Sequence, residues 1–361
     1  MEASRSGIGN VTPNSQLLEM AMGYSRSRML CAAARLGIAD ALGAEERDLE
    51  ELTKACGADR DSLYRLLRAL ASLGIVAEVA AGRFVLTPFG DPLRKDAPNS
   101  AWAGVVFWSD LLADNWSYLT ECVRTGKTAA KLMEAAGIVS RWQTAPDAGA
   151  IFRAVMGTAP AEDYMPIVRS WDFSGRQIVA DLGGGGGALI SAVLKRHPNL
   201  KAMLVDRQES INAAAPRLEK DGLAAQCKLV TADLLEAVPA GADVYVMKHV
   251  LHGYADDRAT QVLRNCRSAI PSGGILLIVE FVLPDVVSQA DPKLETRLMS
   301  DLNMMAVTGG KERSAAEWKA LLEKAGFEMR RVIPVVADDM TPQDVSIVEA
   351  LPSTVRGQNP A

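Results

Sequence analysis

The sequence predicts an α/β protein with a mainly helical winged-helix domain followed by a doubly wound, mostly parallel sheet of seven strands. At 361 residues, the chain exceeds the roughly 250 residues at which a single core stops growing. Hydrophobic residues make up 48% of the chain and charged residues 23%, as in globular proteins with a sizeable interior. From residue 177 onward, short apolar segments alternate with helical stretches. This alternation is typical of a parallel sheet with helices on both faces.

Residues 15–98 are predicted to form the winged helix, after a flexible lead-in over residues 1–14 that is rich in Gly, Ser, Asn and Pro. Asp48 and Glu51 have the spacing of a capping box at the start of a helix. The other predicted elements are a helix over 17–36, expected to be buried because few charges interrupt it, a leucine-faced helix over 61–73, and a hairpin of strands 75–79 and 83–86.

Two functions are open for a winged helix. It can place a helix in the major groove of DNA, or its leucine-rich surface can pack against another subunit. The net charge of −5 and a pI near 5.5 argue against binding a phosphate backbone, which requires clustered Lys and Arg. We therefore expect no nucleic-acid partner.

The residue pattern divides the rest of the chain into three segments. Residues 99–170 are predicted to be a helical linker whose aromatic side chains are mostly ordinary core. Residues 171–351 are predicted to form the sheet domain, and residues 352–361 a flexible tail. The seven predicted strands are 177–181, 202–206, 227–231, 244–248, 275–281, 327–333 and 345–350.

Several classes of protein are disfavoured by composition. The five cysteines are scattered and include no CxxC pair, which fits a reducing cytoplasm. The N-terminus has no apolar signal-peptide core, and no stretch approaches the ~20 apolar residues of a membrane span. We identify no metal-ligand spacing and predict no metal.

A run of five glycines, Gly183 to Gly187, follows the first predicted strand of the sheet. Gly183, Gly185 and Ala188 satisfy G-x-G-x-x-G/A, and Asp206 follows about 20 residues later, where a ribose hydroxyl would bind. Glycines there let the backbone turn and approach a ligand closely. This spacing alone is compatible with a dinucleotide or with another adenosine cofactor.

Two carboxylates favour a cationic cofactor. Asp181 immediately precedes the glycines, where it can hold an ammonium group, whereas a pyrophosphate would gain nothing from it. Asp233 follows the third strand and suits an adenine amino group; the alternative role for this residue is to start a turn. A nicotinamide-dependent dehydrogenase remains the alternative.

The chain resembles class I S-adenosylmethionine-dependent methyltransferases, and more narrowly the caffeate and bacterial small-molecule O-methyltransferase family. The resemblance extends over nearly the whole chain and depends on four ordered motifs, at residues 179–187, 246–252, 278–280 and 309–313. It implies a Rossmann-like catalytic domain that binds S-adenosylmethionine. It also implies a homodimer formed through the N-terminal domain, with residues 99–170 contributing to the acceptor pocket.

The resemblance also implies roles for individual residues. His252 would be the catalytic base, flanked by Glu280 and Glu312. The acceptor, a small hydroxylated aromatic or polyketide-like molecule, would contact Met156, Asn303 and Met304, although both methionines could simply fill gaps in a core. The residues implied to hold the cofactor are Asp181, Gly183, Gly185, Asp206, Arg207, Asp233, Leu234 and Lys248.

Some questions stay open from the sequence. His249 lies three residues before His252 and is the other candidate base. The pair Gly253-Tyr254 stands where the family usually has Asp-Trp, which leaves any step that depends on that Asp in doubt. N-methylation, chemistry other than methyl transfer, and a winged-helix regulator are the remaining alternatives.

Overall fold

The computed structural model describes residues 12–157, 160–336 and 345–353. Most of the predicted lead-in and tail lies outside these residues. The chain divides into two compact units, one formed by residues 1–114 and 139–155 and the other by residues 115–138 and 156–361.

The first unit begins with the predicted helix, turn, helix and hairpin. The Glu51 backbone N–H donates to Asp48 Oδ1 (2.9 Å) and the Asp48 N–H to Glu51 Oε2 (3.0 Å), which confirms the capping box. A short strand not predicted from the sequence joins the hairpin in a three-stranded sheet of order β1-β3-β2. The elements are α1 (Pro13–Ala21), α2 (Gly23–Arg35), α3 (Ile38–Leu42), β1 (Arg47–Asp48), α4 (Leu49–Cys56), α5 (Arg60–Ser72), β2 (Val76–Ala80), β3 (Arg83–Leu86) and α6 (Trp102–Val106).

The prediction of one buried helix over residues 17–36 is wrong in two respects. The helix is interrupted at Met22, between α1 and α2. No residue of α1 is buried, and Leu17, Leu18 and Met20 are 67%, 59% and 73% exposed. Hydrophobic periodicity identifies an apolar face but not the surface that covers it.

The middle of the chain is helical, as predicted. Four of its aromatic rings, all in the first unit, form one cluster with centroid separations of 5.5–6.3 Å: Phe107, Trp108, Trp142 and Phe152. Only Phe107 of these is buried, so the expectation that most are ordinary core is wrong for Trp108, Trp142 and Phe152. The helices are α7 (Ala113–Ser117), α8 (Leu119–Thr125), α9 (Ala129–Ala135), α10 (Arg141–Thr144), α11 (Ala148–Gly157) and α12 (Met165–Ser170).

The second unit contains the predicted seven-stranded sheet, in the order β11-β12-β8-β7-β4-β5-β6. The five strands from β8 to β6 in this order are parallel. β12 pairs antiparallel with both β8 and β11, so β12 alone runs opposite to the other six strands. All seven predicted strands are confirmed to within two residues at their ends. The strands are β4 (Ile178–Leu182), β5 (Lys201–Asp206), β6 (Cys227–Thr231), β7 (Val244–Lys248), β8 (Ile275–Glu280), β11 (Phe327–Pro334) and β12 (Ser346–Pro352), with β9 (Val282–Leu283) and β10 (Arg313–Ser314) as a separate parallel pair.

The order of the strands determines where a ligand can bind. From β4 the chain winds outward through β5 and β6, then returns to place β7 on the other side of β4. In such sheets, ligands bind beyond the carboxyl ends of the strands at this switch point. Apolar residues cover both faces of the sheet, from strands and from α13 (Ala188–Arg196), α14 (Gln208–Lys220), α15 (Asp256–Ala269) and α17 (Ala315–Lys324). Helix α16 (Pro292–Val307) packs instead through Ala306 in a separate cluster with α8 and α9.

Among the residues that the structure describes, no helix combines the length and apolar character that crossing a bilayer would require.

Candidate active site at the carboxyl edge of the sheet

The glycine loop after β4 is too closely packed for side chains at two positions. Gly183 has a φ of +71°, and a Cβ there would lie 2.6 Å from Val250 Cγ2. A Cβ at Gly184 would lie 2.7 Å from Asp181 Oδ2. A Cβ at Gly185 would meet nothing within 4 Å. The loop is therefore closed toward β7 and Asp181 but open at Gly185.

Asp181, in β4, is 1% exposed. Burial, and then the charge of Asp206, raises the pKa of its carboxyl to about 7. Its Oδ2 is buried and has no hydrogen-bond partner in the part of the chain that the structure describes, which is costly for a buried polar atom. A cation with N–H donors would satisfy this oxygen, so the ammonium group of an amino-acid cofactor fits here.

Asp206 is the last residue of β5, and Asp233 lies in the loop after the neighbouring strand β6. Asp206 Oδ2 accepts a hydrogen bond from the Gly185 N–H (2.8 Å), and its Oδ1 accepts one from the Arg207 N–H (2.6 Å). Arg207 Nη2 lies 3.8 Å from Asp233 Oδ2. Leu234 is buried in the core beneath them. The structure therefore brings the predicted cofactor residues of β4, β5 and the loop after β6 to one edge.

Lys248 ends β7 on the other side of β4. Burial lowers the pKa of its ammonium group to about 8, although Glu280 and Asp181 oppose this. The ammonium lies 5.1 Å from the centre of the Tyr164 ring, a cation–π distance. Tyr164 is 8% exposed and was missed from the sequence, because nothing in its local pattern indicates a partner 84 residues away.

Two histidines and two glutamates lie together just beyond β7. His252 Nδ1 is 2.8 Å from Glu312 Oε1 and 3.5 Å from Glu280 Oε2. His249 Nδ1 is 3.1 Å from Glu280 Oε2. The two imidazole rings are stacked, with centroids 5.1 Å apart and an interplanar angle of 28°. Both candidate bases thus carry a carboxylate on Nδ1, an arrangement that orients an imidazole and stabilises its charged form.

Glu280 is the anchor of this cluster. It is fully buried, and its Oε1 accepts hydrogen bonds from the backbone N–H groups of Val250 (3.0 Å), Leu251 (3.1 Å) and His252 (3.3 Å). Burial alone would raise its pKa, but His252, His249 and these donors lower the pKa to about 2. Glu280 is therefore ionised at neutral pH.

Glu312 is held by α16. Ser300 Oγ donates to Glu312 Oε1 (2.8 Å), and the Glu312 N–H donates to Asp301 Oδ1 (2.8 Å). Glu312 is 2% exposed, and none of the described residues forms a hydrogen bond with its Oε2. Ser300 and Asp301 were missed by sequence reasoning.

The environments of the two histidines differ. Burial, helped by Lys248, lowers the pKa of His249. Burial also opposes protonation of His252, but Glu280 and Glu312 outweigh it and raise the pKa of His252. His249 is thus held neutral at a pH where His252 can still take up a proton.

The loop that carries His252 is held in place by hydrogen bonds from Arg313. The fully buried guanidinium of Arg313 donates to the carbonyls of Leu251 (3.2 Å) and Tyr254 (3.0 Å). It also donates to Asp256 Oδ1 (2.8 Å). Arg313 closes the fourth sequence motif, but this bracing role was not predicted. In the same loop, Gly253 faces open space.

The three predicted acceptor residues are placed differently. Asn303 on α16 is 6% exposed, and its Oδ1 has no partner among the described residues. Met304 follows it and is half-buried. Met156 lies near the end of α11 and is 53% exposed, so it does not fill a gap within this chain.

The expectation of no metal-ligand cluster was incomplete, because two histidines and a glutamate come together in the fold. Among the described residues, ligand atoms of His249, His252 and Glu280 all lie within 4.8 Å of one another. The Nδ1 of each histidine is hydrogen-bonded to a carboxylate oxygen, His249 to Glu280 at 3.1 Å and His252 to Glu312 at 2.8 Å. The geometry is that of a hydrogen-bond network.

Comparison with known proteins identifies the family. Residues 116–328 match the O-methyltransferase domain family and residues 18–96 the O-methyltransferase dimerisation domain family. The chain belongs to the S-adenosylmethionine-dependent O-methyltransferase family. Its cofactor is accordingly S-adenosylmethionine, as the resemblance implied.

Several relatives align with the methyltransferase along almost its full length. It is 35% identical to the O-demethylpuromycin O-methyltransferase of Streptomyces alboniger, over 93% of this chain and 89% of that protein. It is 35% identical to a phenazine O-methyltransferase of Lysobacter antibioticus, over 95% and 98%. It is also similar to the O-methyltransferase of neocarzinostatin biosynthesis, solved with S-adenosylmethionine and 2-hydroxy-5-methyl naphthoic acid (TM-score 0.78, 31% identity, 96% of this chain and 99% of that one).

Proposed function

We propose that this methyltransferase methylates a hydroxyl group of a small aromatic or polyketide-like metabolite, with His252 as general base. The observation that carries the proposal is the 2.8 Å contact between His252 Nδ1 and Glu312 Oε1. If Nδ1 holds the proton that faces this carboxylate, the other ring nitrogen, Nε2, has a free lone pair. A lone pair of this kind is what a base needs to receive the proton of a hydroxyl group.

The protein's task is to activate the acceptor. S-adenosylmethionine, when bound, supplies a methyl group attached to a sulfonium. The leaving group is a neutral sulfide, so no acid is needed to protonate it. A phenol has a pKa near ~10 and is mostly protonated at neutral pH, so a base must take its proton as it attacks. His252 takes that proton, and Glu312 and Glu280 stabilise the resulting imidazolium.

The cofactor is assigned to the edge formed by β4, β5 and β7. Asp181 would receive the ammonium group, since its buried Oδ2 otherwise lacks a donor. Asp206 would accept from the ribose hydroxyls and Asp233 from the adenine amino group. Lys248, the last residue of β7, would be a further contact of the cofactor. Gly183 and Gly185 would allow close approach of the backbone, with Arg207 and Leu234 bordering the adenosine.

A flat apolar acceptor with a hydrogen-bond donor fits α16. Asn303 presents a buried oxygen without a partner, which a hydroxyl group could satisfy, and Met304 would contact the ring. Relatives act on puromycin, phenazine and naphthoate precursors according to their names, which supports an aromatic acceptor. Met156 remains a proposed acceptor contact.

The protein is further proposed to be a homodimer. Residues 18–96 match a dimerisation domain, and the exposed apolar residues of α1 and the start of α2 require a cover to be stable in water. These residues are Leu17, Leu18, Met20, Met22 and Tyr24.

The first test screens purified protein against matched phenols and anilines with labelled S-adenosylmethionine. We expect transfer to phenols, and we expect His252→Gln to abolish it while calorimetry shows unchanged cofactor binding. Transfer to the anilines alone would replace the O-methylation proposal with N-methylation. Full activity of His252→Gln would exclude His252 as the base.

A further inference from the structure

His249 has a backbone conformation that side chains rarely adopt. Its φ is +52°, the single positive value outside glycine among the described residues. Such conformations cost free energy and persist only where surrounding contacts enforce them. The contacts that hold His249 are therefore informative about its role.

Those contacts include the ring of the proposed base and the carboxylate of Glu280 beside it. The His249 ring stacks against His252 on one side and lies 5.2 Å, centroid to centroid, from the Phe281 ring. Its Nδ1 lies 3.1 Å from Glu280 Oε2, while His252 Nδ1 is 3.5 Å from the same oxygen. The other oxygen of Glu280 is filled by three backbone N–H groups. His249 thus occupies the one oxygen of Glu280 that His252 could otherwise take.

We propose that His249 is a positioning residue that keeps Glu280 from pairing with His252 and so directs the base's Nδ1–H to Glu312. This inference rests on the proposed function of His252 as base. His252 Nδ1 is hydrogen-bonded to Glu312 Oε1 at 2.8 Å and lies 3.5 Å from Glu280 Oε2, so His252 keeps a single orientation. The charge of Glu280 already raises the pKa of His252 at this distance. If His252 moved into a hydrogen bond with Glu280, its charged form would be stabilised further, and the base would release its proton less readily.

The groups that act on the two rings are few and come from each neighbouring element. They are Lys248 at the end of β7, Glu280 at the end of β8, and Glu312 before β10. Burial and Lys248 lower the pKa of His249, which supports a neutral ring that donates from Nδ1. The proposal therefore requires the Nδ1–H tautomer at His249.

The chain has only three histidines, His197, His249 and His252, which makes a direct spectroscopic test practical. Nitrogen-15 histidine labelling, with signals assigned by single substitution of each histidine, reports tautomer and pKa without any acceptor. We expect His249 to be neutral at pH 7 with its proton on Nδ1. A His249 that is charged at pH 7, or protonated on Nε2, would overturn the proposal.

Two variants test the same point through His252. His249→Gly removes the donor while accepting the left-handed backbone, and we expect the pKa of His252 to rise by about one unit. The pH profile of kcat/KM for His249→Gly should shift to higher pH by the same amount. Its kcat at high pH should equal that of wild type. His249→Asn is the matched control, because its amide nitrogen sits where Nδ1 does and Asn tolerates positive φ; it should restore the wild-type pKa.

An unchanged pKa of His252 in His249→Gly would overturn the proposal, as would a failure of Asn to restore it. Loss of transfer in His252→Asn, with the pKa shift absent in His249→Gly, would leave the base assigned and reject only the role of His249. Activity in His252→Asn would reject the base, while the nitrogen-15 spectra would still decide which histidine pairs with Glu280.

Discussion

Gly310 lies against the loop that carries the proposed base, and replacing it with alanine tests how tightly that loop must be positioned. A Cβ at residue 310 would lie 2.0 Å from the carbonyl oxygen of His252. It would also lie 2.7 Å from the carbonyl carbon of Gly253 and 2.8 Å from the Tyr254 nitrogen. All three are backbone atoms, so no side chain can rotate out of the way.

The size of the effect follows from these distances. Because Cβ atoms do not approach heavy atoms within 3.0 Å, the loop must shift by at least about 1 Å. A misplacement of that size at a reacting group can cost about a hundredfold in rate. Overpacking a tight contact also lowers the free energy of unfolding by about 1–3 kcal/mol. We therefore expect Gly310→Ala to lose about a hundredfold in kcat and to melt at a lower temperature.

The assay measures kcat with the best phenol from the screen, the Kd for S-adenosylmethionine, and Tm. Gly253→Ala is the matched control, since a Cβ there meets nothing within 4 Å, and it should behave as wild type. Cofactor affinity should survive in both variants. Wild-type kcat and Tm in Gly310→Ala would refute the steric argument, and equal loss in Gly253→Ala would show that the loop tolerates no side chain for another reason.

Three further predictions follow from the charged groups. Since the base must be neutral, kcat/KM should rise with pH through the pKa of His252. Glu312→Gln should move that rise to lower pH, because it removes one of the carboxylates that raise the pKa of His252. Coinciding pH–rate profiles of wild type and variant would contradict this. The pKa of Asp181 is raised to about 7 from ~3.9 when unfolded, so its stabilising contribution is full below pH ~3.9 and is lost as pH rises toward 7. Denaturation without cofactor should therefore show Asp181→Asn gaining on wild type by about 3 kcal/mol between pH 5 and 8. Parallel curves would show that the pKa of Asp181 is not raised. Arg313→Met should lower the free energy of unfolding by about 3 kcal/mol and reduce kcat more than cofactor affinity, because the Leu251 and Tyr254 carbonyls lose their donor. Urea denaturation measures the first effect and steady-state kinetics the second. An unchanged kcat would exclude a role for Arg313 in positioning the base.

Much of the catalytic unit could be predicted from the sequence. The strands of a parallel sheet are buried on both faces and read as continuous apolar runs, which is why β4, β7 and β8 were located almost to the residue. The glycines after β4 and the carboxylates that end β4 and β5 are local signals, since each is defined by its distance from a strand end. Parallel strands place such residues at one edge.

The helices of the first unit were less predictable. The residues of α1 have an apolar pattern, but the pattern carries no information on whether that face is covered by the same chain. The cluster of Trp108, Trp142 and Phe152 was misjudged for the same reason, because an aromatic side chain stabilises a core or a partly exposed cluster equally well.

By itself, the sequence determined the α/β fold, the glycine loop and the residue types that the chemistry needs, because each depends on periodicity or on spacing of a few residues. The tertiary structure alone decided which of two histidines meets which of two glutamates. Glu280 and Glu312 lie 28 and 60 residues from His252, and a hydrogen bond exists or not within a few tenths of an ångström. The paths of β8, α16 and the loop before β10 set those distances, and no local pattern encodes them.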